Sequence, residues 1–165
     1  MDSFLKKLPL LAGEKARETR KYFARLKKRP PKKLDLLMQD LHHKTFERIN
    51  CLDCANCCKT TSPLFTEHDI RRIARHLRVK EPLFIQQYLR IDTDHHYVLQ
   101  QSPCPFLDLQ DHACSIYDVR PKACKEYPHT DRRRFVQLTS LTLNNTAICP
   151  ATYEIVEALK KELPF

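Results

Sequence analysis

The sequence predicts a small α+β domain, rich in helices and loops, with one short β-hairpin or small sheet, organised around a cysteine-ligated metal centre. Three observations lead to this prediction. Eight cysteines occur in 165 residues, and four of them fall within eight positions. Several segments repeat apolar residues at helical spacing, whereas few alternate as strands do. Glycine occurs once, so the glycine-rich loops that cradle nucleotide phosphates are absent, which argues against an ordinary nucleotide-binding enzyme.

The N-terminal segment, residues 1–33, is predicted to be a basic amphipathic helix that ends at Pro30-Pro31. Residues 1–34 hold twelve Lys or Arg and three Asp or Glu, a net charge of +9, while residues 35–165 hold seventeen of each. Its apolar residues recur at helical spacing: Phe4, Leu5, Leu8, Leu11, Ala12, Tyr22, Phe23 and Leu26. Such a helix can bind an anionic surface, either RNA or a membrane, or it can pack its apolar stripe on the body and leave a solvated basic face.

The second region, residues 34–165, is predicted to be the cysteine-cluster domain, in which helices alternate with irregular loops. We predict helices over 34–49, after a capping box at Thr66 and Asp69, after Pro82, as a single turn after Pro121, and over 152–163. Residues 97–99 and the alternating stretch 135–143 are predicted strands that can pair with each other. The clustered cysteines are expected to lie on a loop.

The eight cysteines are predicted to be metal ligands rather than disulfide partners. Residues 1–12 lack the uninterrupted apolar region of a signal peptide, and no run of about 18 apolar residues could span a membrane. We therefore expect a cytoplasmic protein, and in a reducing compartment clustered cysteines bind metal more often than they form bridges. The predicted ligands are Cys51, Cys54, Cys57, Cys58, Cys104, Cys114, Cys124 and Cys149.

The spacing of the clustered cysteines indicates two metal centres. Two cysteines separated by two residues can direct both sulfurs to one ion, as in zinc ribbons and ferredoxins. The adjacent Cys57 and Cys58 cannot share an ion so easily, so we expect them to serve different centres, or one of them to be a reactive thiol. If one cysteine is not a ligand, His112 or His129 could replace it.

The identity of the metal stays open between zinc and an iron-sulfur cluster, because all-thiolate sites suit both. The run C-x2-C-x2-C and the dipeptide Cys149-Pro150 are similar to the opening and closing of a bacterial ferredoxin motif, which favours iron. Only half of the two-knuckle pattern of a zinc site is present. The C-x3-C-x2-C triplet of radical enzymes is absent.

The order of these motifs resembles the YkgJ-like cysteine-cluster family, described as a zinc- or iron-chelating domain. The resemblance covers residues 50–150 and rests on the clustered cysteines, on Pro103-Cys104-Pro105, on the stretch from Cys114 to Pro128, and on Cys149-Pro150. It implies that the eight cysteines are ligands and that Tyr117, Asp118, Arg120 and Tyr127 surround them. Alternatively, both tyrosines are core aromatics and Arg120 pairs with Asp118 or Asp131.

Three functions follow as hypotheses. The first is a metal-binding protein whose iron-sulfur cluster or zinc is structural or redox-active. The family also looks similar to the cysteine-rich part of flagellin lysine N-methylases, so the second is a protein-modifying methyltransferase. The third is a zinc module that binds RNA or a membrane through its basic leader. The sequence does not decide whether the protein is an enzyme, nor what its protein partner or substrate is.

Overall fold

Eight α-helices and one two-stranded antiparallel sheet make up the part of the chain, residues 2–164, that the computed structural model describes. The helices are α1 (Asp2–Lys28), α2 (Leu34–Phe46), α3 (Asn56–Thr60), α4 (Glu67–His76), α5 (Glu81–Tyr88), α6 (Lys122–Lys125), α7 (Thr139–Asn145) and α8 (Pro150–Glu162). The strands are β1 (Leu89–Ile91) and β2 (Tyr97–Leu99). The chain divides into a helical unit, Met1–Cys54 with Pro128–Phe165, and a cysteine-loop unit, Ala55–Tyr127.

The helical unit is built on the apolar stripe of α1, which packs against α7 and α8. Leu8 and Leu26 of this stripe are fully buried, and the Tyr22 hydroxyl donates a hydrogen bond to the Leu163 carbonyl at 2.9 Å. The core of this unit contains Tyr22, Phe23, Leu26, Leu34, Met38, Leu41, Phe135, Ile155, Val156 and Leu159. Residues 2–28 are therefore an amphipathic helix whose apolar side is already covered.

The prediction of a strand over 135–143 is wrong. A 3₁₀ turn at Phe135–Leu138 leads directly into α7, and the buried residues Phe135, Thr139, Thr142 and Asn145 follow helical spacing. Threonine favours strands, but here the Thr142 hydroxyl donates to the Leu138 carbonyl at 2.9 Å. Such bonds to the preceding turn satisfy buried hydroxyls inside a helix.

The cysteine-loop unit has a small aromatic core between α4, α5 and the sheet. Its buried members are Phe65, Ile70, Ile73, Ala74, Phe84, Leu89, Leu99, Phe106 and Ile116. The capping box is confirmed: the Thr66 hydroxyl accepts from the Asp69 amide, and the Asp69 carboxylate accepts from the Thr66 amide. Strand β2 is also confirmed, although its partner is β1 in the register Leu89–Leu99.

The clustered cysteines depart from the expected loop. Cys51 lies in a 3₁₀ turn, Cys51–Asp53, and Cys57 and Cys58 lie in the short helix α3. The fold class predicted from the sequence, a small α-rich α+β domain with one short sheet, is nevertheless confirmed. Among the described residues, no helix is both long enough and apolar enough to cross a membrane.

Candidate metal centre

Four thiols of the cysteine-loop unit lie near enough to influence one another's ionisation: those of Cys58, Cys104, Cys114 and Cys124, named here the four-thiol group. Among the described residues, no three of these sulfurs lie within 4.8 Å of one another. Each of the six pairs within this group interacts electrostatically. Their sequence positions span more than sixty residues, so folding alone brings them together. None of the eight cysteines of the chain forms a disulfide.

A main-chain hydrogen bond joins the first two members of this group. The Cys104 amide donates to the Cys58 carbonyl at 2.8 Å, and the neighbouring Ser102 hydroxyl donates to the Lys59 carbonyl, also at 2.8 Å. Both carbonyls belong to α3, which is only five residues long and therefore leaves most of its carbonyls without helical partners. The loop that carries Cys104 supplies those missing donors.

A tight return of the chain brings Cys114 next to Cys104. Leu107 and Cys114 form an isolated antiparallel bridge, and the Ser115 amide donates to the Phe106 carbonyl at 2.8 Å. An aspartate stabilises the tip of this loop: the Asp111 carboxylate accepts a hydrogen bond from the Ala113 amide at 2.8 Å. This is the local turn chemistry by which aspartate replaces glycine in a loop.

Cys124 is held in place by a buried carboxylate that the sequence did not identify as part of the site. Asp69, 1% exposed, accepts a hydrogen bond from the Lys122 amide at 3.1 Å and from Arg72 at 2.6 Å. The same guanidinium donates to the Arg120 carbonyl at 2.8 Å. Asp69 and Arg72 on α4 thus fix the segment that enters α6, the single turn predicted after Pro121. The sequence indicated Asp69 as part of a capping box and not as part of the site.

Burial makes the thiols of this group costly to ionise. It raises the pKa of Cys104 to about 11 and that of Cys124 to about 12, and the neighbouring thiols add to both shifts. Burial likewise raises the pKa of Cys114. The exception is Cys58, because a hydrogen bond with the Cys57 thiol, whose sulfur lies 4.0 Å away, lowers its pKa to about 7. Three of the four thiols therefore stay protonated at neutral pH unless a cation is bound.

Positive charge and amide donors surround the same sulfurs. The amides of Phe106 and Leu107 donate to the Cys104 sulfur, and the amide of Ile116 donates to Cys114. Arg120 opposes the rise in pKa at both Cys114 and Cys124. Such donors offset the negative charge of a thiolate-bound metal.

The four residues predicted to surround the cysteines, Tyr117, Asp118, Arg120 and Tyr127, lie in different environments. The Arg120 guanidinium lies 3.8 Å from the centre of the Tyr117 ring and donates to the Tyr117 carbonyl. Tyr117 is 54% exposed, so it is not a core aromatic. Asp118 is exposed and Tyr127 is partly buried. The electrostatic effect on the thiols comes from Arg120, while roles for the other three remain predictions.

His112, considered as a replacement ligand, lies at the tip of the Cys104–Cys114 loop. Its Nε2 atom is 2.7 Å from the Lys59 ammonium, which can donate a hydrogen bond to it. Lys59 follows Cys58 in α3 and helps to lower the pKa of that thiol. The ring therefore has a cation as its neighbour, which is the opposite of what a metal ligand needs.

The helical unit holds a second set of thiols. Cys149 directly precedes α8, where its sulfur accepts hydrogen bonds from the amides of Ala151 and Thr152. Burial nevertheless raises the pKa of Cys149, and the Cys54 thiol adds to the rise. Cys54 is buried and Cys51, at the start of its 3₁₀ turn, is exposed.

One backbone position inside the cysteine run is strained. Ala55 has φ 45°, in the left-handed region that favours glycine, and its side chain is buried. Strain of this kind persists only where the surroundings determine the conformation, and it is common at ligand-binding sites. The chain has turned sharply between the C-x2-C pair and α3 without using a glycine.

Comparison with known proteins assigns the cysteine-rich part of the chain to a family. A model of the family described as "CxxCxxCC: Putative zinc- or iron-chelating domain" matches residues 50–150, more than half of the chain and all eight cysteines. No solved structure gives a significant match. The likeness to flagellin lysine N-methylases stays a prediction. With its cysteine motifs and a family match of this extent, the chain belongs to the CxxCxxCC family.

Proposed function

We propose that the cysteine-loop unit holds a metal centre through Cys58, Cys104, Cys114 and Cys124, and that this centre is an iron-sulfur cluster. Two observations support the proposal: main-chain contacts join the segments that carry these thiols, from Cys104 to Cys58 and from Leu107 to Cys114, and all four thiols influence one another's ionisation. Four thiolates are a soft ligand set, which suits zinc and iron-sulfur clusters and not magnesium or calcium.

The chemistry of the thiols supports a resident metal. Burying several thiols together serves no packing purpose that apolar residues would not serve better, and ionising them without a cation is costly. A bound metal supplies the missing positive charge and displaces the protons of Cys104 and Cys124. Arg120 and the amide donors then stabilise the ligated thiolates.

Iron is preferred to zinc on the spacing of the other set of cysteines. The run C-x2-C-x2-C of Cys51, Cys54 and Cys57 is the ferredoxin-like element, and Cys149-Pro150 is the ferredoxin-like ending. These residues lie outside the four-thiol group, and the same kind of metal is assigned to both sets. An iron-sulfur cluster would transfer electrons or support a reaction, whereas zinc would crosslink the loops. Cys51, Cys54, Cys57 and Cys149 remain proposed ligands, and the reduced state of so many thiols favours a cytoplasmic location.

The first experiment is metal and sulfide analysis of protein purified without oxygen, together with its visible spectrum. We expect a brown protein that contains iron and acid-labile sulfide. A colourless protein with zinc would overturn the iron-sulfur assignment while preserving the four-thiolate site. Protein that binds neither metal after reconstitution under reducing conditions would overturn the metal site itself.

Cysteine variants test the ligand set. Cys104→Ser with Cys124→Ser should abolish one centre, because serine is a poor ligand for either metal. The control is Phe84→Leu, which removes a buried aromatic ring from the same unit and leaves every thiol in the sequence. The control should keep its full metal content. Full metal content in the double serine variant would contradict the assigned ligands.

A further inference from the structure

Besides Arg25, the solvent-facing side of α1 carries seven exposed cations: Lys6, Lys7, Arg17, Arg20, Lys21, Lys27 and Lys28. They are named here the basic strip. At 1.5 Å per residue, the 27 residues of α1 extend over about 40 Å. The strip therefore presents positive charge along a rigid line rather than at a single point.

The charges of the strip are not neutralised within the described chain. The Glu18 carboxylate forms an ion pair with Lys160 at 2.9 Å, and Lys15 forms one with Glu157 at 3.0 Å. Among the described residues, no member of the basic strip forms an ion pair with a carboxylate. Glu14 is the exposed acid that remains on this side of α1.

Burial of the apolar side of α1 distinguishes between the two possible anionic partners, RNA and a membrane surface. Helices that lie on membranes insert an apolar face among the lipid chains. In α1, Leu8, Phe23 and Leu26 of that face are fully or almost fully buried in the helical unit, and Phe4, Leu5 and Leu11 are partly buried. Leu10 is the exposed large apolar residue of this helix. The exposed side of α1 therefore offers much more charge than apolar surface, which favours the phosphates of a nucleic acid.

The strip also lacks the aromatic side chains on which bases stack. Tyr22 and Phe23 are buried in the core of the helical unit. Without stacking, binding to single strands depends on phosphate contacts alone and is insensitive to base sequence.

We propose that the basic strip of α1 binds the phosphate backbone of single-stranded RNA without reading its bases. The cations fall into three groups along the helix, around residues 6–7, 17–21 and 27–28. A flexible strand can place its phosphates on all three, whereas a stiff duplex has fixed phosphate positions. This interaction is independent of the proposed metal centre.

The test is fluorescence anisotropy of a labelled 20-nucleotide RNA with the full-length, metal-loaded protein between 50 and 200 mM salt. If all seven cations contact phosphates, the slope of log K against log salt approaches about −5, from roughly 0.7 per contact on a single strand. RNAs of different sequence should bind within about threefold of one another. A salt-independent signal would overturn the proposal, as would the absence of binding at 50 mM salt.

Matched variants distinguish the strip from overall charge. Replacing Arg17, Arg20 and Lys21 with glutamine should flatten the slope by about 2 and weaken binding at least tenfold at 50 mM salt. The control replaces Arg75, Lys80 and Arg90, exposed cations of the cysteine-loop unit, and loses the same three charges. An equal loss in the control would overturn the proposal. Binding to vesicles with 30% phosphatidylserine in preference to RNA would also overturn it.

Discussion

The helical unit and the cysteine-loop unit differ in the structure that stabilises each of them. The helical unit uses helices of 27, 13 and 13 residues whose apolar sides form a large core. In the cysteine-loop unit the longest helix has ten residues and the sheet has three residues per strand. The segment from Cys104 to Tyr127 contains only short turns and the four-residue helix α6.

This difference indicates which unit a bound metal would stabilise more. Long amphipathic helices bury enough apolar surface to be stable by packing. Loops held by isolated hydrogen bonds do not, and small domains of that kind are commonly stabilised by disulfides or metals. The thiols of Cys104, Cys114 and Cys124 occur where regular structure is sparse, which is where crosslinks through a metal contribute most.

Removal of metal should produce the largest effect. Chelation under reducing conditions should cost the cysteine-loop unit on the order of 10 kcal/mol, because metal binding and folding are coupled. Unfolding in urea, followed by circular dichroism, should change from one transition at high urea to an early loss of the cysteine-loop unit and a later loss of the helices. An unaltered urea profile after complete metal removal would contradict the comparison.

Truncation of the helical core comes next. Phe135 is fully buried and its ring packs edge-on against Phe23, with 6.2 Å between centroids. Phe135→Ala should lower the free energy of unfolding of the helical unit by about 3–5 kcal/mol. Metal content should not change. The matched variant Phe84→Ala, at an equally buried position of the other unit, should leave the helical transition in place.

Substitution of Asp69 tests whether its hydrogen bonds stabilise the segment that carries Cys124. Asp69→Asn removes charge from a carboxylate that accepts hydrogen bonds from Thr66, Arg72 and the Lys122 amide, and should cost about 2 kcal/mol at pH 7. The exposed Asp94→Asn is the control, with an expected change below about 0.5 kcal/mol. Equal changes in unfolding free energy at the two positions would show that the hydrogen bonds of Asp69 do not stabilise the unit.

We expect the unfolding free energy to depend on pH through the Asp69 carboxylate. Burial alone would raise the pKa of Asp69, but hydrogen bonds from Thr66, Arg72 and the Lys122 amide hold it below the ordinary value of 3.8. The stabilisation is therefore fully present above pH 3.8 and is lost as the pH falls through the lowered folded-state pKa. The difference in unfolding free energy between wild type and Asp69→Asn should shrink in that acidic range. A constant difference down to pH 2 would contradict this assignment.

The smallest effect is expected at Ala55. Glycine relieves the left-handed strain, worth about 1–2 kcal/mol, but it costs about 0.5–1 kcal/mol in chain entropy. Ala55→Gly should therefore leave stability unchanged or raise it by up to about 1 kcal/mol in urea unfolding. Ala55→Val, with a branched side chain at the same φ, should be clearly destabilising. A large loss with glycine would show that the buried methyl group matters more than the backbone.

Regular elements with strong local signals could be predicted from the sequence. The capping box at Thr66, the proline at the start of α5 and the apolar spacing of α8 each indicated a helix that the structure contains. The stretch 135–143 misled because alternating Val136, Leu138 and Thr142 fit a strand, while tertiary packing and hydroxyl bonds to the preceding turn favour a helix.

The candidate site was predictable in its ligand types but not in its grouping. Spacing suggested that Cys57 and Cys58 serve different centres, and this stays a prediction: Cys58 interacts with three distant thiols, while the Cys57 sulfur lies 4.0 Å from the Cys58 sulfur. Which distant cysteines meet depends on long-range folding that one sequence does not encode locally. Asp69 and Arg72 were missed for the same reason, since their contacts lie about fifty residues away in the chain.

Hydrogen exchange with mass spectrometry, on metal-loaded and metal-stripped protein, tests whether metal stabilises the cysteine-loop unit in particular. We expect peptides from residues 55–127 to lose their protection when the metal is removed, and peptides from α1 and α2 to keep theirs. Equal loss of protection in both units would contradict this expectation, and so would full protection of 55–127 without metal.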